Sequence, residues 1–201
     1  GPVVVELPKD ILIPQNTAPF NIETDVKMRS YNPTVKGHTK QIKKAVKTIT
    51  QAKKLVVYSG GGIILADASD LLTTLVEKLK APVTNTLMGL GGISGTHENF
   101  IGMLGMHGSL EANKAMANAD VILALGARFD DRVTNNVNKF CPNATIIHVD
   151  IDPTSISKTI NAHVPIVGLI DIVMQQLLDE LESYEYQPNQ VDLDRWWQQI
   201  N

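Results

Sequence analysis

Four charges lie within five residues, Arg128, Asp130, Asp131 and Arg132, in the stretch Leu125-Gly126-Ala127-Arg128-Phe129-Asp130-Asp131-Arg132-Val133-Thr134. Guanidinium forks match phosphate oxygens, and carboxylates accept from ribose-type hydroxyls. Such a set can grip a ligand that carries both. A solvated loop whose charges pair with one another is the alternative. Position and density favour a ligand site. The stretch directly follows the apolar run 121–125, which has the length and composition of a buried parallel strand. In open α/β sheets, ligands bind in the crevice outside the carboxyl ends of the strands.

The elements that must position this cluster read as β-α repeats. Residues 41–52 carry Ile42, Ala45, Val46 and Ile49 at helical spacing. A buried strand is expected at 55–58. Gly60-Gly61-Gly62 follows it, then a helix over 66–79 with Leu71, Leu72, Leu75 and Leu79 as its stripe. Further strands are expected at 82–87, 121–125, 145–149 and 164–167, and helices at 110–118 and 169–181. Gly89, Gly91, Gly92 and Gly95 mark a long flexible loop, and Ser109 is a candidate N-cap. Strands alternating with helices imply a doubly wound parallel sheet covered on both faces.

Further candidates fall just after the expected strands and so converge on one sheet edge. Backbone N–H groups of Gly60, Gly61 and Gly62 can approach a diphosphate closely, but a plain tight turn explains them equally well. There is no G-x-G-x-x-G. Thr86-Leu87-Met88-Gly89 follows the next strand. Asp150-Ile151-Asp152-Pro153 follows 145–149, where an acidic residue commonly takes ribose or ribityl hydroxyls. A turn or helix-cap role for Asp152 is the alternative. Leu104-Gly105-Met106-His107-Gly108 is a further loop candidate, although a lone His is usually structural or solvated. No metal-ligand spacing and no nucleophile-base set stands out.

Composition narrows the class. The chain has 201 residues, 43% hydrophobic and 19% charged, with net charge -3. That allows a sizeable core in one ordinary domain with extra end segments. There is no long basic stripe to suggest nucleic acid. Lys40, Lys43, Lys44, Lys47, Lys53 and Lys54 read as a solvated face. The single cysteine, Cys141, permits no internal disulfide, points to a reducing compartment and reads as a structural thiol. No apolar run is long enough to span a membrane, and no signal peptide is recognised. The ends read as cut. The chain opens inside an apolar strand-like run, Gly1-Pro2-Val3-Val4-Val5-Glu6-Leu7, and a proline-punctuated linker extends to about His38. Residues 184–192 are polar, and the amphipathic stretch 193–200 carries Trp196 and Trp197, which need a surface to cover.

Seven motifs in order give these residues a resemblance. G-P-V-V-V-E-L-P-K-D at the start, M-R-S-Y-N-P from Met28, V-Y-S-G-G-G from Val57 and T-L-M-G-L-G from Thr86 are four of them. M-L-G-M-H-G from Met103, G-A-R-F-D-D-R-V-T from Gly126 and H-V-D-I-D-P-T-S-I from His148 complete the set. Together they resemble the central domain of acetohydroxyacid (acetolactate) synthase large subunits, closest to the bacterial isozyme III type.

The resemblance implies a six-stranded, Rossmann-like parallel sheet (the central, NAD/FAD-binding type of thiamine-diphosphate enzymes) that holds FAD. It implies the end of a pyrimidine-binding domain and a linker over 1–37, the FAD domain over 38–183, and a linker toward a thiamine-diphosphate-binding domain over 184–201. The family's full enzyme decarboxylates pyruvate on thiamine diphosphate with Mg²⁺ and adds the two-carbon unit to pyruvate or 2-ketobutyrate, opening branched-chain amino-acid biosynthesis. Its large subunits form a homodimer with a regulatory small subunit in the bacterial cytoplasm, with neither nucleic acid nor membrane as partner. The glutamate and Mg²⁺ ligands belong to flanking domains, so this chain alone is expected to be inactive.

By motif position, Arg29, Gly60, Gly61, Gly62, Thr86, Leu87, Met88, Leu104, Gly105, Met106 and His107 resemble FAD contacts. So do Gly126, Ala127, Arg128, Asp130, Arg132 and Val133, with Asp150, Ile151 and Ser155 toward the adenosine end. Arg132 also resembles a ketoacid-carboxylate contact, with Met106 and Asp131 lining the same channel. One residue departs from the pattern: Leu169 stands where the family usually has an Asp that contacts the cofactor, which implies weakened FAD binding. The equivalent domains of glyoxylate carboligase or pyruvate oxidase are the nearest alternatives. A stand-alone nucleotide-binding module and an NAD-dependent oxidoreductase are more distant ones.

Overall fold

Short, continuously apolar strands build the centre of this protein. In β1 (Leu55–Ser59), β4 (Val121–Leu125) and β5 (Thr145–Asp150) almost every side chain is buried, so both faces of the sheet are covered. β2 (Val83–Asn85), β3 (Phe100–Met103) and β6 (Val164–Val167) complete a six-stranded sheet in the order β3-β2-β1-β4-β5-β6. Every neighbouring pair is parallel. The computed structural model describes residues 4–12 and 32–200. They fall in two compact units, Gly1–Pro33 and Thr34–Asn201, and the sheet lies in the second.

The two faces are covered differently. Helices α1 (Thr39–Gln51), α3 (Ser69–Leu79) and α6 (Ile170–Ser183) bury Ile42, Val46, Leu72, Leu75, Val173, Leu177 and their neighbours on one face. On the other, α4 (Leu110–Asn118) and α7 (Gln190–Ile200) pack over Val56, Tyr58, Ile122, Ala124, Ile146 and His148. The doubly wound parallel sheet is the expected one.

Five departures from the expected elements have physical causes. Residues 100–103, unassigned in the sequence, form β3. Its only buried residue is Ile101, and Gly102 sits at φ +91° where the register shifts against β2, which interrupts the apolar run. The helix expected over 66–79 is two: α2 (Gly61–Leu65) starts inside the glycine turn, and Asp67 at φ 50° breaks it from α3. The strand expected over 82–87 stops at Asn85, because Thr86 caps a 3₁₀ turn, Leu87–Gly89, by accepting from the Gly89 N–H at 3.0 Å. Part of the loop expected from Gly89 onward is therefore ordered turn. Residues 4–7, the described part of the run expected to be strand-like, hold no strand; the chain turns just after them, where the Pro8 carbonyl accepts from the Ile11 N–H at 3.1 Å.

The expected boundaries at 37/38 and 183/184 also differ from the compact unit. The Val35 carbonyl accepts from the Leu169 N–H at 2.9 Å, and the Gly37 N–H donates to Gln176 Oε1 at 2.8 Å, so these residues are already tied to α6. At the other end α7 joins the same unit. Trp196 is buried, and its Nε1–H donates to the Leu55 carbonyl at 3.1 Å. Here the two tryptophans find their surface.

Candidate functional site

A parallel sheet sends every strand's carboxyl end to one edge, and five loops meet there. The chain leaves β1 toward β2 and returns from β3 to β4, so β1 and β4 flank the point where the strand order reverses. That is where open α/β sheets open a crevice. Gly60, Gly61 and Gly62 follow β1, and Gly126 to Val133 follow β4. The two loops touch backbone to backbone. A Cβ on Gly60 would lie 2.1 Å from the Gly126 carbonyl oxygen, and one on Gly62 would lie 2.8 Å from the Gly126 Cα. Gly126 itself sits at φ 61°, which costs any residue with a side chain. At Gly60 and Gly62 the need for glycine therefore comes from loop packing. A Cβ on Gly61, half-buried beside Met88, would lie 3.2 Å from the Met88 Cβ, so this position is tight as well.

The remaining site candidates sit around this crevice. Thr86 is a cap, and Leu87 and Met88 project outward, Met88 with 75% of its surface exposed. Leu104 and Gly105 are buried, while Met106 and His107 are exposed. The Met106 N–H donates to the Arg132 carbonyl at 3.3 Å, which joins this loop to the charged one. Asp130 caps the short helix α5 (Asp131–Thr134): its Oδ1 accepts from the Arg132 N–H at 3.2 Å. That bond, then the side chain of Asp131, holds the Asp130 carboxyl below its usual range. Arg128 and Asp130 form a 3.8 Å ion pair with 74% and 50% of their side chains exposed, which contributes little to stability. Arg128, Asp131 and Arg132 present charge to solvent, and Val133 is half-buried.

After β5 the carboxylates divide their roles. Asp150 is buried and accepts from the Asp152 N–H at 2.9 Å. Asp152 accepts from Thr154 and from the Ser155 hydroxyl, bonds that lower its pKa. It serves the turn, as the alternative reading had it. Ile151 is exposed and Ser155 half-buried. Arg29 lies outside the described residues. Leu169 stands at the N-cap of α6 in extended conformation, and its side chain accepts no cap hydrogen bond.

Three buried residues under the charged loop escaped the motif reading. Phe129, between Arg128 and Asp130, is 1% exposed and held at φ 53°, a conformation bulky side chains avoid. His148 Nε2 donates to the Ala127 carbonyl at 2.8 Å. Burial pushes its pKa down, against the opposing pull of Asp150 and of that carbonyl. Its Nδ1 and the Tyr58 hydroxyl are buried with no hydrogen-bond partner among the described residues. Burial also raises the Tyr58 pKa. The signal was present in the sequence: His148 and Tyr58 occupy inward positions of strands otherwise filled with aliphatic residues. Cys141 is a free thiol that burial pushes up to about 12, so it is no nucleophile at neutral pH. With Leu104, Met116 and Phe140 it lines a cavity of about 240 Å³ behind the loop.

A switch-point crevice on a six-stranded parallel sheet defines a doubly wound α/β domain. The family model "Thiamine pyrophosphate enzyme, central domain" matches residues 42–177, and the chain belongs to that family. Over its whole length it is 55% identical to the acetolactate synthase isozyme 3 large subunit of Escherichia coli (strain K12). It is 54% identical to the acetolactate synthase large subunit of Buchnera aphidicola subsp. Schlechtendalia chinensis. A probable acetolactate synthase large subunit of Methanococcus aeolicus is 44% identical over 90% of the chain. The chain spans 35% of each of the first two relatives and 31% of the third. Among the described residues no helix is long and apolar enough to cross a membrane.

Proposed function

We propose that this chain is the FAD-holding central part of an acetolactate synthase large subunit, a thiamine-diphosphate- and Mg²⁺-dependent enzyme acting on pyruvate and 2-ketobutyrate. The reading is carried by the convergence of the Gly60, Met88, Met106, Arg128 and Ile151 loops on the switch-point crevice. Exposed apolar side chains alternate there with guanidinium groups. That chemistry suits a flat isoalloxazine joined to a diphosphate, and so the residues fit FAD. Met88, Met106 and Ile151 would cover apolar ring surface. Arg128 would meet diphosphate oxygens. Asp150 has one oxygen engaged by the Asp152 N–H, which leaves the other for a hydroxyl. Arg132, with Met106 and Asp131 beside it, would take a ketoacid carboxylate in a channel completed by the rest of the large subunit. Acetolactate formation involves no net redox change, so FAD would supply shape and binding energy. In this reading, residues before Thr34 join the domain to a pyrimidine-binding neighbour and α7, packed on the domain itself, leads toward a thiamine-diphosphate-binding one, large subunits pair with each other and with a small regulatory subunit, and the enzyme works in the bacterial cytoplasm.

Titrating the purified chain with FAD, NAD and ADP and following flavin fluorescence and thermal shift tests this. Saturable quenching with FAD that weakens in Arg128→Ala supports the reading. Binding of NAD without FAD would replace it with a different nucleotide-binding module. Pyruvate given to the chain alone is expected to yield no acetolactate, and turnover would refute the division of labour.

A further inference from the structure

The geometry points to Phe129 as the positioning residue of the charged loop, seated in a slot between Tyr58 and His148 that exists because Ala124 lies between them. Tyr58, Ala124 and His148 are direct register partners across β1, β4 and β5. Their side chains stand in a row on one face of the sheet. The two rings flank a gap that one methyl group leaves unfilled. Phe129 fills it: its ring centroid lies 5.5 Å from that of Tyr58 and 5.0 Å from that of His148, the latter edge-to-face at 87°. Phe140 closes the outer side at 5.9 Å. Such aromatic geometries are favourable beyond area burial.

The left-handed backbone at Phe129 gives the insertion its consequence. Residues in that conformation persist only where their surroundings over-determine them, and they concentrate at functional loops. Here the aromatic slot supplies the constraint. With Phe129 turned inward, Arg128 and Asp130 on either side are both turned out to solvent. His148 fixes the same loop one step earlier through the Ala127 carbonyl. Because Nε2 is the donor, the neutral ring carries its proton there and leaves Nδ1 bare. Ring and wedge together set where Gly126 to Arg132 present their groups. The ligand side of this inference rests on the FAD reading above, and the loop side does not.

Two measurements on the 201-residue chain test it. Hydrogen exchange of the ligand-free chain reads the loop directly. In Phe129→Ala and in Ala124→Val, which fills the slot without leaving a cavity, amides of 127–134 should exchange at least about tenfold faster, while those of β4 and β5 change by less than about twofold. FAD affinity should fall about tenfold or more in both variants. His148→Gln retains a donor for the Ala127 carbonyl but removes the ring beside Phe129, and should loosen the loop less than His148→Ala does. Should Phe129→Ala fail to fold, Ala124→Val and the His148 pair still decide. Loop protection unchanged in Ala124→Val, or protection lost evenly across the sheet, overturns the inference. A parent chain that binds no FAD overturns the cofactor reading alone, because the exchange measurement still judges the slot.

Discussion

The two faces of the sheet are packed by opposite means. Beneath α1, α3 and α6 the contacts are almost wholly Leu, Ile and Val, and apart from Ser59 and Asn85 at its carboxyl end the strands' polar groups go into the ladder. Beneath α4 and α7 the helix contributes alanines, and the volume is made up by Tyr58, Phe129, Trp196 and a buried His148. The first face is redundant: many similar contacts share the load. The second is particular, since each aromatic has one neighbour it must meet. A loop that has to hold charges in a fixed arrangement belongs over the second kind of face. Truncating the first face therefore gives the largest stability loss and the least effect on the loop. Leu177→Ala removes a fully buried side chain, and such changes cost about 2–5 kcal/mol. Chemical denaturation should report that loss while hydrogen exchange at 127–134, relative to the global value, stays unchanged. Selective loosening of the loop would break the contrast between the faces.

The second face should also carry a pH dependence that the first lacks. His148 is buried neutral, its pKa below the ordinary 6.5 because burial disfavours the charged ring. The unfolded chain takes up a proton as pH falls through about 6.5, and the folded chain does not until lower pH. Stability from this site is thus fully present above that value and is lost on acidification. The window lies above the one in which Asp130 and Asp152 lose theirs, which opens below 3.8. Denaturation of the parent and His148→Gln between pH 7.5 and about 5 should converge as pH falls, because only the parent has this proton to gain. Parallel curves would show that His148 titrates alike in both states.

How much of this was legible in the sequence follows the same division. The aliphatic face announces itself: Ile42, Val46, Leu72 and Leu75 stand at helical spacing, and the runs 121–125 and 145–149 read at once as buried strands. Position after a strand was enough to bring Gly60, Met88, Arg128 and Asp150 to one edge. What stayed hidden depends on tertiary neighbours. β3 is one buried residue and a glycine, recognisable only once β2 is beside it. The slot for Phe129 needs three strands in register, and no linear pattern links Tyr58, Ala124 and His148. Similarly, Gly60 and Gly62 read equally as a diphosphate loop or a plain tight turn, and only the fold shows Gly126 packed against them.

A smaller effect separates the helices on the two faces. α4 has only Ala112, Ala115 and Met116 buried, so it leans on a polar tie at its start. Ser109 Oγ accepts from the Ala112 N–H at 3.1 Å and donates to the Ile101 carbonyl at 2.6 Å, fastening the helix to β3. Ser109→Ala should cost about 1 kcal/mol, within the usual range for a lost N-cap. Thermal denaturation checks it, and a cost near zero would mean that alanine packing alone holds α4.

The smallest effect runs the other way and lies on the aliphatic face, where α6 begins. Leu169 occupies its N-cap with φ -65° and ψ 134°, the extended geometry that capping residues adopt, yet its side chain offers no acceptor. Leu169→Asp supplies one for the free N–H groups of the first turn and places negative charge at the positive end of the helix dipole. A gain of about 0.5–1 kcal/mol is expected from the cap alone. Measuring Tm without FAD isolates that contribution. The further rise in Tm when FAD is added isolates any contact between the new carboxylate and the cofactor. A gain without FAD and no extra FAD-dependent shift would mean that Leu169 costs this chain a helix cap and nothing at the crevice. A larger FAD-dependent shift would mean that the departure at 169 weakens the site itself. A loss of stability would show that the leucine side chain is held by packing along α6, and that the aliphatic face extends its redundancy to the helix end.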